Sequence, residues 1–132
     1  SGFYQYDEKR NATPDPMIEE LITRHSQEVG ITRRNITDQE IIERAIYSMI
    51  NEGAKILEEG IAARPLDIDV VWLNGYGFPA YLGGPMFYAD TVGLKKVYDA
   101  ILKYRDLVGT EYWTPSPLIE RLAGEGKGFY SK

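Results

Sequence analysis

The chain contains no cysteine, which excludes disulfide bonds, Cys-ligated zinc and thiol catalysis. His25 is its one histidine, so the commonest general base of enzymes is almost missing as well. The sequence contains no run of about 18 apolar residues, which is the pattern that predicts a membrane-spanning helix. The balance of 15 basic against 20 acidic residues lacks the basic excess typical of nucleic-acid binders. The composition therefore predicts neither a nucleic-acid partner nor a membrane span.

The length and apolar content are those of an ordinary globular domain. The chain has 132 residues, of which 43% are hydrophobic, enough to bury a core. Residues 7–16 are charged and include two prolines, which is typical of a linker. We therefore expect a tail and linker over residues 1–15 and a helical domain over residues 16–132.

Helical periodicity is the strongest local signal. Thr37 and Glu40 form a capping box, and apolar residues then recur at steps of three and four as far as Ile61. This pattern predicts one long central helix of about twenty-two residues. Asp67 is interpreted as the N-cap of a short helix over 68–73, and Pro65 as the end of the preceding one. Further short helices are predicted over 16–29, 85–92, 94–108 and 117–123. Asp15 is interpreted as the start signal of the first of these and Ser116 as the N-cap of the last. No segment shows sustained strand alternation, so the predicted fold class is all-α.

A glycine-rich segment lies in the middle of the chain, at residues 75–79 and 83–85. A dinucleotide-binding fingerprint needs a strand before the glycines and a helix directly after them. Here a short helix is predicted before the glycines, and Phe78-Pro79 prevents a helix from starting directly after them. We therefore favour a turn that lets two helices pack closely over a phosphate-binding loop.

Three carboxylates near this segment are candidates for chemistry. Asp67 and Asp69 resemble a pair, but residues two apart on a helix do not face each other. A metal site would need more converging oxygen ligands than can be assigned. Glu52, on the long helix, fits two interpretations, a solvated face or a buried carboxylate bonded to the glycine loop. Both stay open at this point.

One tripeptide occurs twice. Gly2-Phe3-Tyr4 recurs as Gly128-Phe129-Tyr130, 126 residues later. The spacing suggests that the chain begins at the tail of one unit and ends at the tail of the next.

Several blocks of sequence point to a known family: residues 41–54, 56–62, 67–71, 75–79 and 83–94. Together they resemble the C-terminal helical domain of L-3-hydroxyacyl-CoA dehydrogenases. The match is nearest to the second copy of that domain in multifunctional fatty-acid β-oxidation enzymes. The resemblance implies a helical bundle of the type found in the C-terminal domain of 6-phosphogluconate dehydrogenase, with one long central helix. The motif residues, for which a structural role is expected, are Glu43, Arg44, Glu52, Asp67, Asp69, Gly75, Gly77, Pro79, Gly83, Gly84, Pro85 and Asp90.

The same resemblance implies a division of labour. The parent enzyme would oxidise 3-hydroxyacyl-CoA with NAD, and its Rossmann domain, outside this chain, would hold the catalytic histidine and glutamate. An enoyl-CoA hydratase/isomerase module would accompany it. In the catalytic copy an Asn-Arg pair begins the long helix, whereas Glu43-Arg44 stands here. The resemblance therefore implies no catalytic residue and no bound cofactor or metal in this chain. Its expected role is that of an internal pseudo-dimer partner of the Rossmann and first helical domains.

An alternative function is a free-standing helical module for dimerisation or acyl-CoA binding. Arg33-Arg34 or Lys95-Lys96 would then meet the phosphates of acyl-CoA as point charges. For the location, a peroxisomal Ser-Lys-Leu signal would need one residue more than the final Ser131-Lys132. We therefore expect a cytoplasmic rather than a peroxisomal protein.

Overall fold

The computed structural model describes residues 2–131. The chain divides into two compact units, and the boundary in the sequence lies between Ile36 and Thr37. The first unit contains strands β1 (Tyr4–Tyr6) and β2 (Ala12–Pro14) and helix α1 (Pro16–Glu28). The second contains α2 (Asp38–Glu58), α3 (Pro65–Gly75), a 3-10 turn (Ala80–Leu82), α4 (Pro85–Val92), α5 (Leu94–Val108) and α6 (Pro117–Glu125). The predicted all-α class is confirmed, with one small hairpin added. The boundary between the two units lies after α1 and not at residue 15. The domain limits of 1–15 and 16–132 stay a prediction.

The segment interpreted as a linker folds as part of an antiparallel β-hairpin. The Asp7 carboxylate accepts hydrogen bonds from the backbone N–H of Lys9 at 2.9 Å and of Asn11 at 2.8 Å. Arg10 takes a positive φ of 63° between them. An aspartate that binds the backbone two and four residues ahead closes a turn. The strands are only three residues long, too short to show the alternation that sequence reasoning needs.

The first two helices begin where their capping residues predict. Asp15 accepts a hydrogen bond from the N–H of Met17 at 3.0 Å, and Pro16 takes the first helical position. Thr37 accepts one from the N–H of Glu40 at 3.2 Å. α2 runs for 21 residues, and it contacts α3, α4, α5 and α6. The long central helix is therefore confirmed.

The start of α3 corrects the sequence prediction. The helix begins at Pro65, after Arg64 as its N-cap, and not after Asp67. The backbone N–H groups of the first helical turn have no acceptor within the helix, so a proline, which has no N–H, loses no hydrogen bond there. The fixed φ of proline is also helical, and Pro65 therefore opens this helix. Asp67 lies in the first turn instead, where its carboxylate is 2.6 Å from the Arg64 guanidinium.

The core of the second unit lies between α2, α4, α5 and α6. Its fully buried side chains include Ile50, Met86, Val97, Ile101 and Ile119. Tyr104 is buried with them, and its ring centroid lies 5.0 Å from that of Trp113. Within residues 2–131, no helix combines the length and apolarity that crossing a membrane requires.

Candidate functional site

Asp69 is the most enclosed carboxylate in the described part of the chain, at 1% exposure. It lies on α3 and points at the N-terminus of α4. Oδ1 accepts a hydrogen bond from Met86 N–H at 2.7 Å, and Oδ2 accepts one from Phe87 N–H at 3.0 Å. These N–H groups have no partner inside their own helix, and a negative charge is favourable beside them. Asp69 therefore caps α4 from another helix.

The paired glycines make room for this cap. Gly84 has φ +100°, and a Cβ built on it would overlap the Asp69 carboxylate. Gly83 has φ +76° and ends the 3-10 turn, and Pro85 takes the first position of α4. In the Gly-Gly-Pro motif, Gly84 is thus explained by the approach of the Asp69 carboxylate, Gly83 by its positive φ, and Pro85 by its place at the start of α4.

The earlier glycines belong to a turn after a helix. Gly75 is the last residue of α3, Gly77 has φ +69°, and Pro79 precedes the 3-10 turn. A helix therefore precedes these glycines, as the sequence predicts, where a dinucleotide site would need a strand. The segment does not fit the pyrophosphate of NAD.

Asp90 binds the recurring tripeptide at the end of the chain. Its carboxylate accepts hydrogen bonds from Phe129 N–H at 2.7 Å and Tyr130 N–H at 2.9 Å. A Cβ on Gly128 would overlap this carboxylate. The Tyr130 hydroxyl donates to Asp69 Oδ2 at 2.6 Å. We call Asp69 and Asp90 together the carboxylate clamp.

The clamp also governs the ionisation of the tyrosine. Burial raises the pKa of Tyr130 above its ordinary value, and the hydrogen bond to Asp69 raises it further. A phenol is protonated near neutral pH even at its ordinary pKa, so this shift extends to higher pH the range in which Tyr130 is a donor.

Glu43 stands where the resemblance places the asparagine of a catalytic copy. Its carboxylate accepts hydrogen bonds from the Tyr104 hydroxyl at 2.5 Å and the Gln39 amide at 2.9 Å. Burial raises the pKa of Glu43, but these hydrogen bonds and the charges of Lys103 and Lys96 together outweigh it, so the pKa lies below the ordinary value. Arg44 lies 3.6 Å from the Glu40 carboxylate. Glu43 thus joins α2 to α5.

Of the two interpretations of Glu52, the structure shows the solvated one. Its side chain is 65% exposed and lies 3.4 Å from the Lys55 ammonium. The buried polar residue is its neighbour Asn51, at 2% exposure. Asn51 donates to the Thr114 carbonyl and accepts from Ser116 N–H, both at 2.8 Å. Asn51 is not among the residues singled out from the sequence. The available signal was its place beside Ile50, where the amide lies on the apolar stripe of the long helix.

The outer side of α3 forms an apolar surface. Leu66, Val70, Val71 and Tyr76 are exposed there, and beside them lies a groove of about 470 Å³. The residues that line the groove are Ile56, Ile61, Ala62, Ala63, Asp67, Ile68, Val71, Trp72 and Tyr76. We call these exposed residues and the groove the α3 surface.

The remaining candidates are the four cations that would meet the phosphates of acyl-CoA. Arg33 and Arg34 lie in the first unit, and Lys95 and Lys96 lie in the second. The Lys95 ammonium lies 2.8 Å from the Asp99 carboxylate. Among residues 2–131, no three His, Asp or Glu side chains are arranged to hold a metal ion.

Comparison with known proteins gives one consistent family. Residues 41–130 match the family model of the 3-hydroxyacyl-CoA dehydrogenase C-terminal domain. The peroxisomal bifunctional enzymes of Danio rerio and Homo sapiens are 47% and 46% identical to the chain over 128 residues. The peroxisomal fatty acid beta-oxidation multifunctional protein MFP2 of Arabidopsis thaliana is 33% identical over 129 residues. Each alignment covers 95% of this chain and 18% of the relative, so the chain spans less than a fifth of these proteins.

These names overturn the expected location. The relatives are called peroxisomal, and others glyoxysomal, so the cytoplasmic prediction is wrong. It depended on the last residues of the chain, of which Lys132 lies outside the described residues. The predicted resemblance itself is confirmed, and the chain belongs to the 3-hydroxyacyl-CoA dehydrogenase family as its C-terminal domain.

Proposed function

We propose that this chain is the architectural C-terminal domain of a larger NAD-dependent 3-hydroxyacyl-CoA dehydrogenase. The parent would be a multifunctional β-oxidation enzyme, as the relatives' names suggest, with a peroxisomal location. In it, the chain packs against the Rossmann domain and the first helical domain and keeps the substrate cleft in shape. The histidine and glutamate that catalyse, and the NAD site, belong to the Rossmann domain outside this chain.

The observation that carries this proposal is the α3 surface. α3 is apolar on both sides: Ile68 is buried against the core, while Val70 and Val71 are about half exposed. The apolar residues of α3 are therefore not confined to its core-facing side, which is typical of a helix that is buried on more than one side. Contiguous exposed apolar surface on a soluble domain marks an interaction site. A partner that covers α3 would complete its burial.

The site chemistry supports a structural rather than a catalytic role. Glu43 replaces the expected asparagine, and its carboxylate is engaged by Tyr104 and Gln39. Asp69 and Asp90 are used by backbone and phenol donors. Glu43, Asp69 and Asp90 therefore bind other parts of the domain.

The alternative, an acyl-CoA-binding module, has less support. Its candidate cations are Arg33-Arg34 or Lys95-Lys96, and the Asp99 carboxylate, 2.8 Å from the Lys95 ammonium, would compete with a phosphate for that lysine. The architectural function is therefore favoured.

Association with the rest of the parent tests the proposal. The double variant Val70→Ser/Val71→Ser should weaken binding of this chain to separately produced Rossmann and first helical domains, measured by calorimetry. Leu107→Ser is the matched control, because Leu107 is equally exposed but lies outside the α3 surface. Wild-type affinity in the double variant, with its circular dichroism unchanged, would contradict the proposal.

Activity gives a second test. The isolated chain should not reduce acetoacetyl-CoA with NADH, because the base and the cofactor site lie elsewhere. Turnover by the isolated chain above a buffer control would refute the architectural role.

A further inference from the structure

The end of α3 carries the one Asn-Gly pair in the sequence. Asn74 and Gly75 are the last two residues of the helix, and both are exposed. Glycine has no side chain to shield its backbone nitrogen. Open space also surrounds Gly75, since a Cβ there would meet nothing within 4 Å. The side chain of Asn74 therefore has an unhindered backbone nitrogen as its next neighbour along the chain.

The last turn of α3 is weakly closed. Its C-cap, Tyr76, has left the helical conformation, with φ −121° and ψ 4°. The Tyr76 N–H donates to the Trp72 carbonyl at 3.3 Å, which is long for a backbone hydrogen bond. Gly75 disfavours the helix by about 1 kcal/mol relative to alanine, and helix ends open locally at little free-energy cost. The backbone nitrogen of Gly75 is thus released from the helix more often than one in a central turn.

Within residues 2–131, none of the other three asparagines combines these features. The Asn11 side chain is held by the Asp7 carboxylate at 2.7 Å. Asn35 precedes Ile36, whose β-branched side chain crowds the backbone nitrogen between them. Asn51 is 2% exposed and lies well inside α2. These three positions therefore serve as internal references for position 74.

We propose that Asn74 and Gly75 form a site of spontaneous modification, at which the asparagine becomes isoaspartate or aspartate. The backbone nitrogen of Gly75 loses its proton and attacks Cγ of Asn74, so that a new C–N bond forms. The bond from Cγ to Nδ2 breaks, and the amide nitrogen leaves as ammonia, which takes up a proton. Water then adds to either carbonyl carbon of the resulting succinimide ring and opens it. The net reaction consumes one water and releases one ammonia, without an oxidant or a reductant.

The modification changes the α3 surface, because Asn74 holds the end of the helix. Its Nδ2 donates to the Val70 carbonyl at 2.8 Å. A carboxylate in its place has no hydrogen to donate, and its negative charge is unfavourable at a helix C-terminus. Isoaspartate also lengthens the main chain by one methylene group between Trp72 and Tyr76. The rings of these two residues line the groove with centroids 4.8 Å apart, so the modified chain presents a different groove.

Peptide mapping by mass spectrometry tests the proposal on this chain in mildly alkaline buffer at body temperature. The peptide that contains Asn74 should gain the mass difference between an amide and an acid, and it should separate into an isoaspartate and an aspartate form. Conversion at positions 11, 35 and 51 should be at least about tenfold slower, a difference of about 1.4 kcal/mol in the barrier. Gly75→Ala should slow conversion at position 74 by a comparable factor, because its methyl group shields the nitrogen but has open space in the folded chain.

Conversion at position 74 that is no faster than at the three reference positions would overturn the inference, as would an unchanged rate in Gly75→Ala. The consequence for α3 has its own measurement. Asn74→Asp should lower the melting temperature below that of the wild type, and equal melting temperatures would refute the effect on the helix end. Both experiments use this chain alone, so their outcome is separate from that of the association test of the α3 surface.

Discussion

Replacement of Asp69 by asparagine tests the central claim about the clamp. Asn keeps the size and shape of the side chain but loses the charge and turns one acceptor oxygen into a donor amide. Oδ1 of Asp69 accepts one hydrogen bond and Oδ2 accepts two. Whichever way the amide is oriented, at least one donor therefore loses its acceptor in a site that is 1% exposed.

The expected loss can be worked out from the cost of such bonds. A hydrogen bond to a charged group contributes about 1.5–3 kcal/mol, and a buried donor left without a partner loses its hydration as well. With one bond lost and the others weakened, Asp69→Asn should lower the free energy of unfolding by about 2–4 kcal/mol. For a domain of this size, that corresponds to a fall in melting temperature of roughly 10–25 °C.

The control for this variant is two residues away on the same helix. Asp67 is partly exposed and pairs with the exposed Arg64, and an ion pair that is open to solvent contributes little. Asp67→Asn should therefore leave the melting temperature unchanged in a thermal scan followed by circular dichroism. Equal shifts for the two variants, or no shift for Asp69→Asn, would refute the role given to the clamp.

Three further variants test other parts of the structure. Asn51→Ala removes two buried hydrogen bonds to residues 114 and 116 and should cost about 2–4 kcal/mol in urea unfolding, whereas Glu52→Ala, on the solvated face, should be neutral. Gly84→Ala should lower the free energy of unfolding by at least about 2 kcal/mol, since φ is +100° and the new Cβ meets Asp69. Gly75→Ala is the control, because its new Cβ has open space, and equal melting temperatures for the two variants would contradict this prediction. Glu43 has a pKa below its ordinary 4.5 in the folded chain. Its contribution to stability is therefore present above the ordinary pKa and is lost as the pH falls through the pKa of the folded state. The stability difference between wild type and Glu43→Gln should therefore shrink on acidification from neutral pH, and a constant difference would exclude this ionisation as its source.

Where a helix begins could largely be predicted, because its capping groups lie within a few residues of each other. Asp15, Thr37 and Ser116 each cap the helix after them, as their positions in the sequence predict. Pro65 shows the limit of this reasoning. Its sequence context indicates a helix end, although a proline that stops one helix also suits the first turn of the next.

The roles of the carboxylates could not be predicted in the same way. Asp67 and Asp69 are two residues apart, so they lie on different sides of a helix, but the sequence does not indicate which of the two is buried. The difference arises because Asp69 faces the first turn of α4, seventeen residues further along the chain. The hydrogen bond from Tyr130 spans sixty-one residues.

The fold class, the long central helix and the family could all be inferred from the sequence alone, since periodicity, caps and motifs are local patterns. Which polar residues are buried depended on the tertiary structure, which encloses Asn51 rather than Glu52 and joins Asp69 and Asp90 into one clamp. A buried polar group is stable only with its partners in place. Those partners come from helices and loops that are far apart in the chain until it folds.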